Sequence, residues 1–119
     1  EWASRMVPRM RQVVAEPALG AGPPVWAGVP DLDLAHHVTR VTLPAPGTRR
    51  QLLDAVAAFA AAPLDRTRPL WAALVLEGLE DGTAGYAVKI HHSVTDGVGA
   101  VRLMGMLHSR TAEHDPQRP

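Results

Sequence analysis

The chain has 119 residues, enough for one domain-sized unit with a buried core. Twelve basic and twelve acidic side chains balance to formal neutrality, which argues against nucleic acid and against an anionic membrane surface as partners. Cysteine is absent, so disulfides, thiolate metal sites and a cysteine nucleophile are excluded and nitrogen chemistry falls to histidine.

The longest apolar stretches, residues 52–64 and 70–76, are too short to cross a bilayer, and no charged-then-apolar leader precedes them. A soluble or peripheral protein is the expectation. The opening at Glu1 and the polar run over 111–119 read as a fragment, with residues 111–119 as the start of a linker.

In chain order, residues 2–14 place Met6, Met10, Val13 and Val14 at near-helical spacing, but Pro8 interrupts, predicting a helix end and then a short extended piece. Over 16–30 the density of Pro and Gly predicts an irregular loop carrying Trp26. Residues 37–43 read as a strand, with Thr39, Val41 and Leu43 alternating with Val38, Arg40 and Thr42, closed by a turn over 44–47. Thr48 can cap the helix that follows, with Gln51 three residues on. Leu52, Leu53, Val56, Phe59 and Ala60 then form its apolar stripe as far as Pro63. The apolar run 70–76 predicts a strand buried on both faces, with residues 85–92 as its partner after a turn at 80–82. A second helix is predicted over 98–108, with Val98, Val101, Met104 and Leu107 on one stripe. The pattern is mixed α/β, without repeats.

Along the strand expected to end at His92, period-two geometry puts Tyr86, Val88, Ile90 and His92 on one face and Ala87, Lys89 and His91 on the other. A histidine at a strand's end beside an apolar wall can accept a proton from a hydroxyl near neutral pH, which makes His92 the candidate base. Residue chemistry alone does not separate that role from a packed histidine. Asp96, just before a helix, either caps it or meets a buried arginine, and Gly97 suits a tight strand-to-helix turn. No metal site is expected from His91, His92 and Asp96, because adjacent strand residues face opposite ways and no third nitrogen ligand lies nearby. Gly97 and Gly99 alone are a weak phosphate-loop signal. His36 and His37 are expected at a solvent-exposed or backbone-paired strand start, Trp71 and Phe59 in the core, and Arg66 and Arg68 in surface or ion-pair positions.

The run His91-His92-Ser93-Val94-Thr95-Asp96-Gly97 resembles the His-His-x-x-x-Asp-Gly signature of the CoA-dependent acyltransferase superfamily. A second block, Pro63-Leu64-Asp65-Arg66-Thr67-Arg68-Pro69-Leu70-Trp71, resembles the proline-leucine-aspartate-arginine block of bacterial wax ester synthase/diacylglycerol acyltransferases. Asp31-Leu32-Asp33-Leu34 and the residues through Val38 resemble the segment that precedes it. Ala72 departs from the pattern, where such proteins usually carry an acidic residue.

The resemblance implies an α/β (α+β) fold, part of a chloramphenicol acetyltransferase-like lobe, a mixed sheet with helices packed on it. Residues 1–110 would be part of an amino-terminal acyltransferase lobe. It implies an O-acyltransferase that moves a fatty acyl group from acyl-CoA to a diacylglycerol or long-chain alcohol. His92 would be the general base, His91, Asp96, Gly97 and Arg11 would support it, and the block from Pro63 to Trp71 would be structural. No cofactor is implied beyond acyl-CoA as substrate, and no metal. The expected partners are those substrates and the remaining lobe of a parent enzyme, with a cytoplasmic location that leaves peripheral contact with membrane or lipid inclusions open. In related folds the motif aspartate pairs with an arginine, so the resemblance implies an Arg11–Asp96 ion pair. The fragment is expected to be inactive by itself. The rival readings are a truncated, non-catalytic remnant and a condensation-type acyltransferase with another acceptor.

Overall fold

Pro8 takes the first position of the first element, a 3-10 turn, Pro8–Arg11, where its missing N–H is not needed. The structure is a computed structural model, and it describes residues 7–108. The helical spacing expected over 2–6 lies outside the described residues, as does the linker expected over 111–119. Strand β1, Gln12–Ala15, follows the turn and pairs antiparallel with β2, Val25–Gly28, with Val14 opposite Trp26. The Val29 amide donates to the Arg11 carbonyl at 2.7 Å and closes the open end of this hairpin. The loop expected over 16–30 is thus corrected. Pro17, Gly20, Gly22, Pro23 and Pro24 lie in the connection between the two strands, Gly28 is the last residue of β2, and Val25 and Trp26 are good strand formers. The Arg9 guanidinium lies 4.1 Å from the centre of the Trp26 ring, a cation–π contact that fixes the turn to the hairpin.

A second unit comprises Asp33–Asp65 and Leu70–Ile90. It opens with a single helical turn, α1, Leu34–His37, whose first amides are met by Asp33 through a 3.0 Å bond from Ala35 N. Strand β3, Val38–Thr42, then pairs in parallel with β4, Trp71–Glu77, and β5, Gly85–Ile90, pairs antiparallel on the other side of β4. Parallel neighbours need a crossover, and helix α2, Arg49–Ala61, supplies it. It begins in a capping box: the Gln51 amide donates to Thr48 Oγ1 at 3.2 Å, and the Thr48 amide donates to Gln51 Oε1 at 2.7 Å. Replacing Thr48 by alanine is expected to cost about 1 kcal/mol, read as a lower urea midpoint, with Thr48→Ser retaining most of it.

The core of this unit is Leu43, Leu74 and Leu76, with Leu52, Ala55, Val56, Phe59, Leu79 and Ala87 packed against it. Strand β4 lies in the middle of the sheet, its Trp71, Leu74 and Leu76 buried and its other residues half-buried, as its apolar run predicts. On α2 the packed face is Leu52, Ala55, Val56 and Phe59. Leu53 and Ala60, expected on the stripe, are exposed, because they lie about 100° round from Leu52 and Phe59. The last turn of α2 is closed by Lys89 of β5, which donates to the carbonyls of Phe59 at 2.7 Å and Ala62 at 2.6 Å and stands 4.7 Å over the Phe59 ring. A cation there satisfies orphan carbonyls and complements the helix dipole. In the β4–β5 connection the Thr83 hydroxyl and amide hold the exposed Asp81 carboxyl below the usual carboxylate range.

His36 and His37 differ from the expected strand start. Both belong to α1. His36 is exposed and meets Asp33 at 3.2 Å, whereas His37 is buried, 4% exposed, with its ring stacked on Trp71 at 4.5 Å and Nδ1 2.9 Å from the Trp71 carbonyl. Strand β5 ends at Ile90 and not at His92. Beyond it, helix α3, Gly97–Leu107, follows a turn, and residues 91–108 group with the hairpin and Arg66–Pro69 in the first unit. No helix among the described residues is long and apolar enough to cross a membrane.

Candidate active site

The two adjacent histidines and Asp96 lie in the six residues, 91–96, between the end of β5 and the first residue of α3. His91 to Val94 form a tight turn, closed by the Val94 amide donating to the His91 carbonyl at 2.9 Å. Val94 is buried and anchors the turn, while His91, His92 and Ser93 face solvent. The opposed placement expected from strand periodicity therefore does not apply, because both rings lie beyond the last strand residue. His91 is tied within the turn, with Nδ1 2.7 Å from Ser93 Oγ and 3.1 Å from the Ser93 amide. His92 makes no hydrogen bond among the described residues, so its ring nitrogens are open to a ligand.

Asp96 is the N-cap of α3. Its Oδ1 accepts from the Gly99 amide at 2.7 Å, its backbone carbonyl accepts the first helical bond from Ala100, and the Thr95 hydroxyl donates to that same carbonyl at 3.2 Å. The capping alternative for Asp96 holds. The Arg11–Asp96 ion pair implied by resemblance is not formed: Arg11 directs Nη2 to the Pro30 carbonyl at 3.4 Å, while the Asp96 carboxylate is engaged by its own helix start. Gly97, expected to permit the tight turn, has ordinary backbone angles, and a Cβ there would meet nothing within 4 Å. The residue the local geometry demands is Gly99, whose added Cβ would overlap Thr95 Oγ1 and come within 3.1 Å of Asp96 Oδ1. Gly99 was legible as a glycine but not as a cap requirement, since the clash depends on where Thr95 turns.

The second block is spread along the chain. Pro63, Leu64 and Asp65 follow α2, Arg66 is exposed in a turn, Arg68 is half-buried, and Pro69 and Leu70 are buried just before β4. Trp71, the first residue of β4, is core, and His37 covers its ring. Sequence reasoning missed that pairing; the single signal was a histidine in the segment preceding the block. Among the described residues no group of three or more His, Cys, Asp or Glu is placed to hold a metal ion.

The arrangement offers an exposed imidazole at His92 with no hydrogen-bond partner among the described residues, next to a second imidazole whose hydrogen bonding is fixed, at the start of a capped helix. A neutral imidazole so placed can take a proton from a hydroxyl and return it to a leaving group.

The sequence pattern of the wax ester synthase/diacylglycerol acyltransferase catalytic domain matches residues 1–119. A candidate diacylglycerol O-acyltransferase of Mycobacterium tuberculosis is 42% identical over 116 residues, 98% of this chain and 23% of that protein. A probable diacylglycerol O-acyltransferase of the same organism is 41% identical over 105 residues, 88% of this chain and 39% of that protein. Among solved structures, the wax ester synthase/diacylglycerol acyltransferase from Marinobacter aquaeolei VT8 superposes with a TM-score of 0.78 at 31% identity, over 99% of this chain and 32% of that one. The chain therefore spans between about a quarter and two fifths of the length of these proteins.

Proposed function

The chain belongs to the wax ester synthase/diacylglycerol acyltransferase family, and from that premise we propose that it carries the proton-transfer residue of an acyl-CoA-dependent O-acyltransferase. The acceptor is a diacylglycerol or a long-chain alcohol. The observation that carries this reading is the exposed ring of His92, without a hydrogen-bond partner among the described residues, in the turn His91–Val94 inside a His-His-x-x-x-Asp-Gly run.

On this reading His92 accepts the proton of the acceptor hydroxyl as its oxygen attacks the thioester carbonyl carbon. The tetrahedral intermediate collapses with cleavage of the carbon–sulfur bond, and the imidazolium returns the proton to the departing CoA thiolate. The products are an ester and free CoA, and no acyl-enzyme, metal or redox partner is needed. Acyl-CoA enters as substrate, and the protein supplies a base and positioning. Asp96 acts as a positioning residue by fixing the start of α3 next to the turn. Residues 1–110 form part of an amino-terminal lobe, and the activity belongs to a protein of the relatives' length, in contact at its periphery with the membrane or lipid inclusion that holds its water-insoluble acceptors.

The test is CoA thiol release from palmitoyl-CoA by the full-length protein, with and without hexadecanol or a diacylglycerol. Release that requires an acceptor, with the corresponding ester as product, is expected. Acceptor-independent hydrolysis, or no release from folded protein, would overturn the reading.

A further inference from the structure

We infer that Ser93 is a positioning residue of this site, holding His91 as the tautomer with its proton on Nε2. The catalytic part of this inference rests on the acyltransferase reading above. The tautomer part stands on the geometry of the turn alone.

A backbone amide can only donate. The Ser93 N–H is directed at His91 Nδ1 over 3.1 Å, so Nδ1 must be the accepting, unprotonated nitrogen and the ring proton of the neutral imidazole resides on Nε2. The Ser93 hydroxyl, 2.7 Å from the same Nδ1, must then be a donor too, and it is the closer of the two. Residue 93 thus addresses one ring nitrogen twice, from main chain and from side chain. Two other histidines of the chain are held in the opposite sense. His37 and His108 direct Nδ1 at the carbonyls of Trp71 and Met104, at 2.9 and 2.6 Å. A carbonyl can only accept, so their proton is on Nδ1.

The consequence is a division of labour between neighbouring rings. His91 presents Nε2–H outward as a donor and cannot compete for the acceptor's proton, while His92 retains an open ring nitrogen as the base. A thioester carbonyl under attack accumulates negative charge on oxygen, and a fixed donor stabilises that charge without reorganising. The Nε2–H of His91 is that donor. Ser93 acts through it, by suppressing the tautomer in which the exposed nitrogen is a lone pair.

The experiment has two readouts. Full-length protein labelled with 15N-histidine is compared at pH 8 as wild type, Ser93→Ala and Ser93→Thr, with the His91 signals identified by their loss in His91→Gln. Wild type and Ser93→Thr are expected to show a pyridine-type Nδ1 and a pyrrole-type Nε2, and Ser93→Ala, which keeps the main-chain donor but loses the closer hydroxyl, to move both part of the way toward the mixed-tautomer average. In the acyl-transfer assay, Ser93→Ala is expected to lower kcat about fivefold, the equivalent of one neutral hydrogen bond of about 1 kcal/mol, with KM for acyl-CoA unchanged and Ser93→Thr within about twofold of wild type. A purely structural role would not lower kcat at constant KM while moving the His91 nitrogen signals. A pyrrole-type Nδ1 in wild type, tautomer signals unmoved in Ser93→Ala, or an unaltered kcat each overturns the inference. Absence of acceptor-dependent turnover in wild type would instead sink the acyltransferase reading, and the nitrogen signals would still decide the tautomer.

Discussion

His92→Ala is expected to lower kcat of the full-length enzyme by at least about a hundredfold, within the roughly 10²–10⁴-fold that a positioned general base contributes, with little change in KM for acyl-CoA. The split follows from the role: a base that contacts the reacting hydroxyl stabilises the transition state and adds little to ground-state binding of the thioester. The fold should not respond, because the ring is exposed and makes no hydrogen bond among the described residues, and surface substitutions of that kind stay within about 0.5 kcal/mol. The melting temperature measured alongside the kinetics separates the two effects. A mutant that keeps wild-type kcat while folded removes His92 from the chemistry, and a mutant that loses activity together with its melting transition says nothing for the base. His91→Ala provides the contrast. If His91 acts as the proposed donor rather than as a base, it should be partly replaceable by glutamine, whose amide can offer an N–H, whereas His92→Gln should be as inactive as alanine.

The parts of the fold that were legible in the sequence are those whose causes are local. Thr48 and Gln51 announce the start of α2 because a capping box is a contract among four consecutive residues. The unbroken apolar run into β4 announces a strand with neighbours on both sides, and it has them. Where the cause is tertiary, the sequence was silent or misleading. Strand β2 was hidden because the prolines and glycines of its connecting loop weigh on the whole segment, although Val25 and Trp26 escape them. His37 reads as a polar strand-starter until Trp71, 34 residues away, is placed beneath its ring. For the site, the spacing of the motif located the turn and the helix start, and Asp96 as a cap was derivable from its place before α3. The partner of Arg11 was not derivable: pairing of distant charges depends on where each backbone points, and Arg11 points to Pro30. Nor did strand periodicity reach His91 and His92, since it ends with the last paired residue, Ile90.

Gly47→Ala is expected to destabilise the fold by about 2–5 kcal/mol. Two independent effects combine there. Gly47 has φ +74°, a left-handed conformation that costs an L-residue about 1–2 kcal/mol. In addition, a Cβ at this position would overlap the Gly78 carbonyl oxygen, with its carbon at 2.9 Å and Leu79 Cα at 3.1 Å. All of these are backbone atoms, so no rotamer change relieves the clash, and overpacking against a rigid wall adds about 1–3 kcal/mol. The segments that would have to part are held by the Glu80 amide on the Gly47 carbonyl at 3.0 Å and by the Leu43 amide on the Glu77 carbonyl at 2.8 Å. They join the exit of β3 to the exit of β4, next to the buried Leu43 and Leu76. Gly82 separates the two effects. Its φ of +75° is nearly the same, but a Cβ there would meet nothing within 4 Å, so Gly82→Ala should cost the conformational part alone, about 1 kcal/mol. Urea denaturation of both variants gives the difference directly. Equal losses would mean that the close approach of Gly47 to Gly78 relaxes freely, and that the two turns do not lock the ends of the parallel strand pair together.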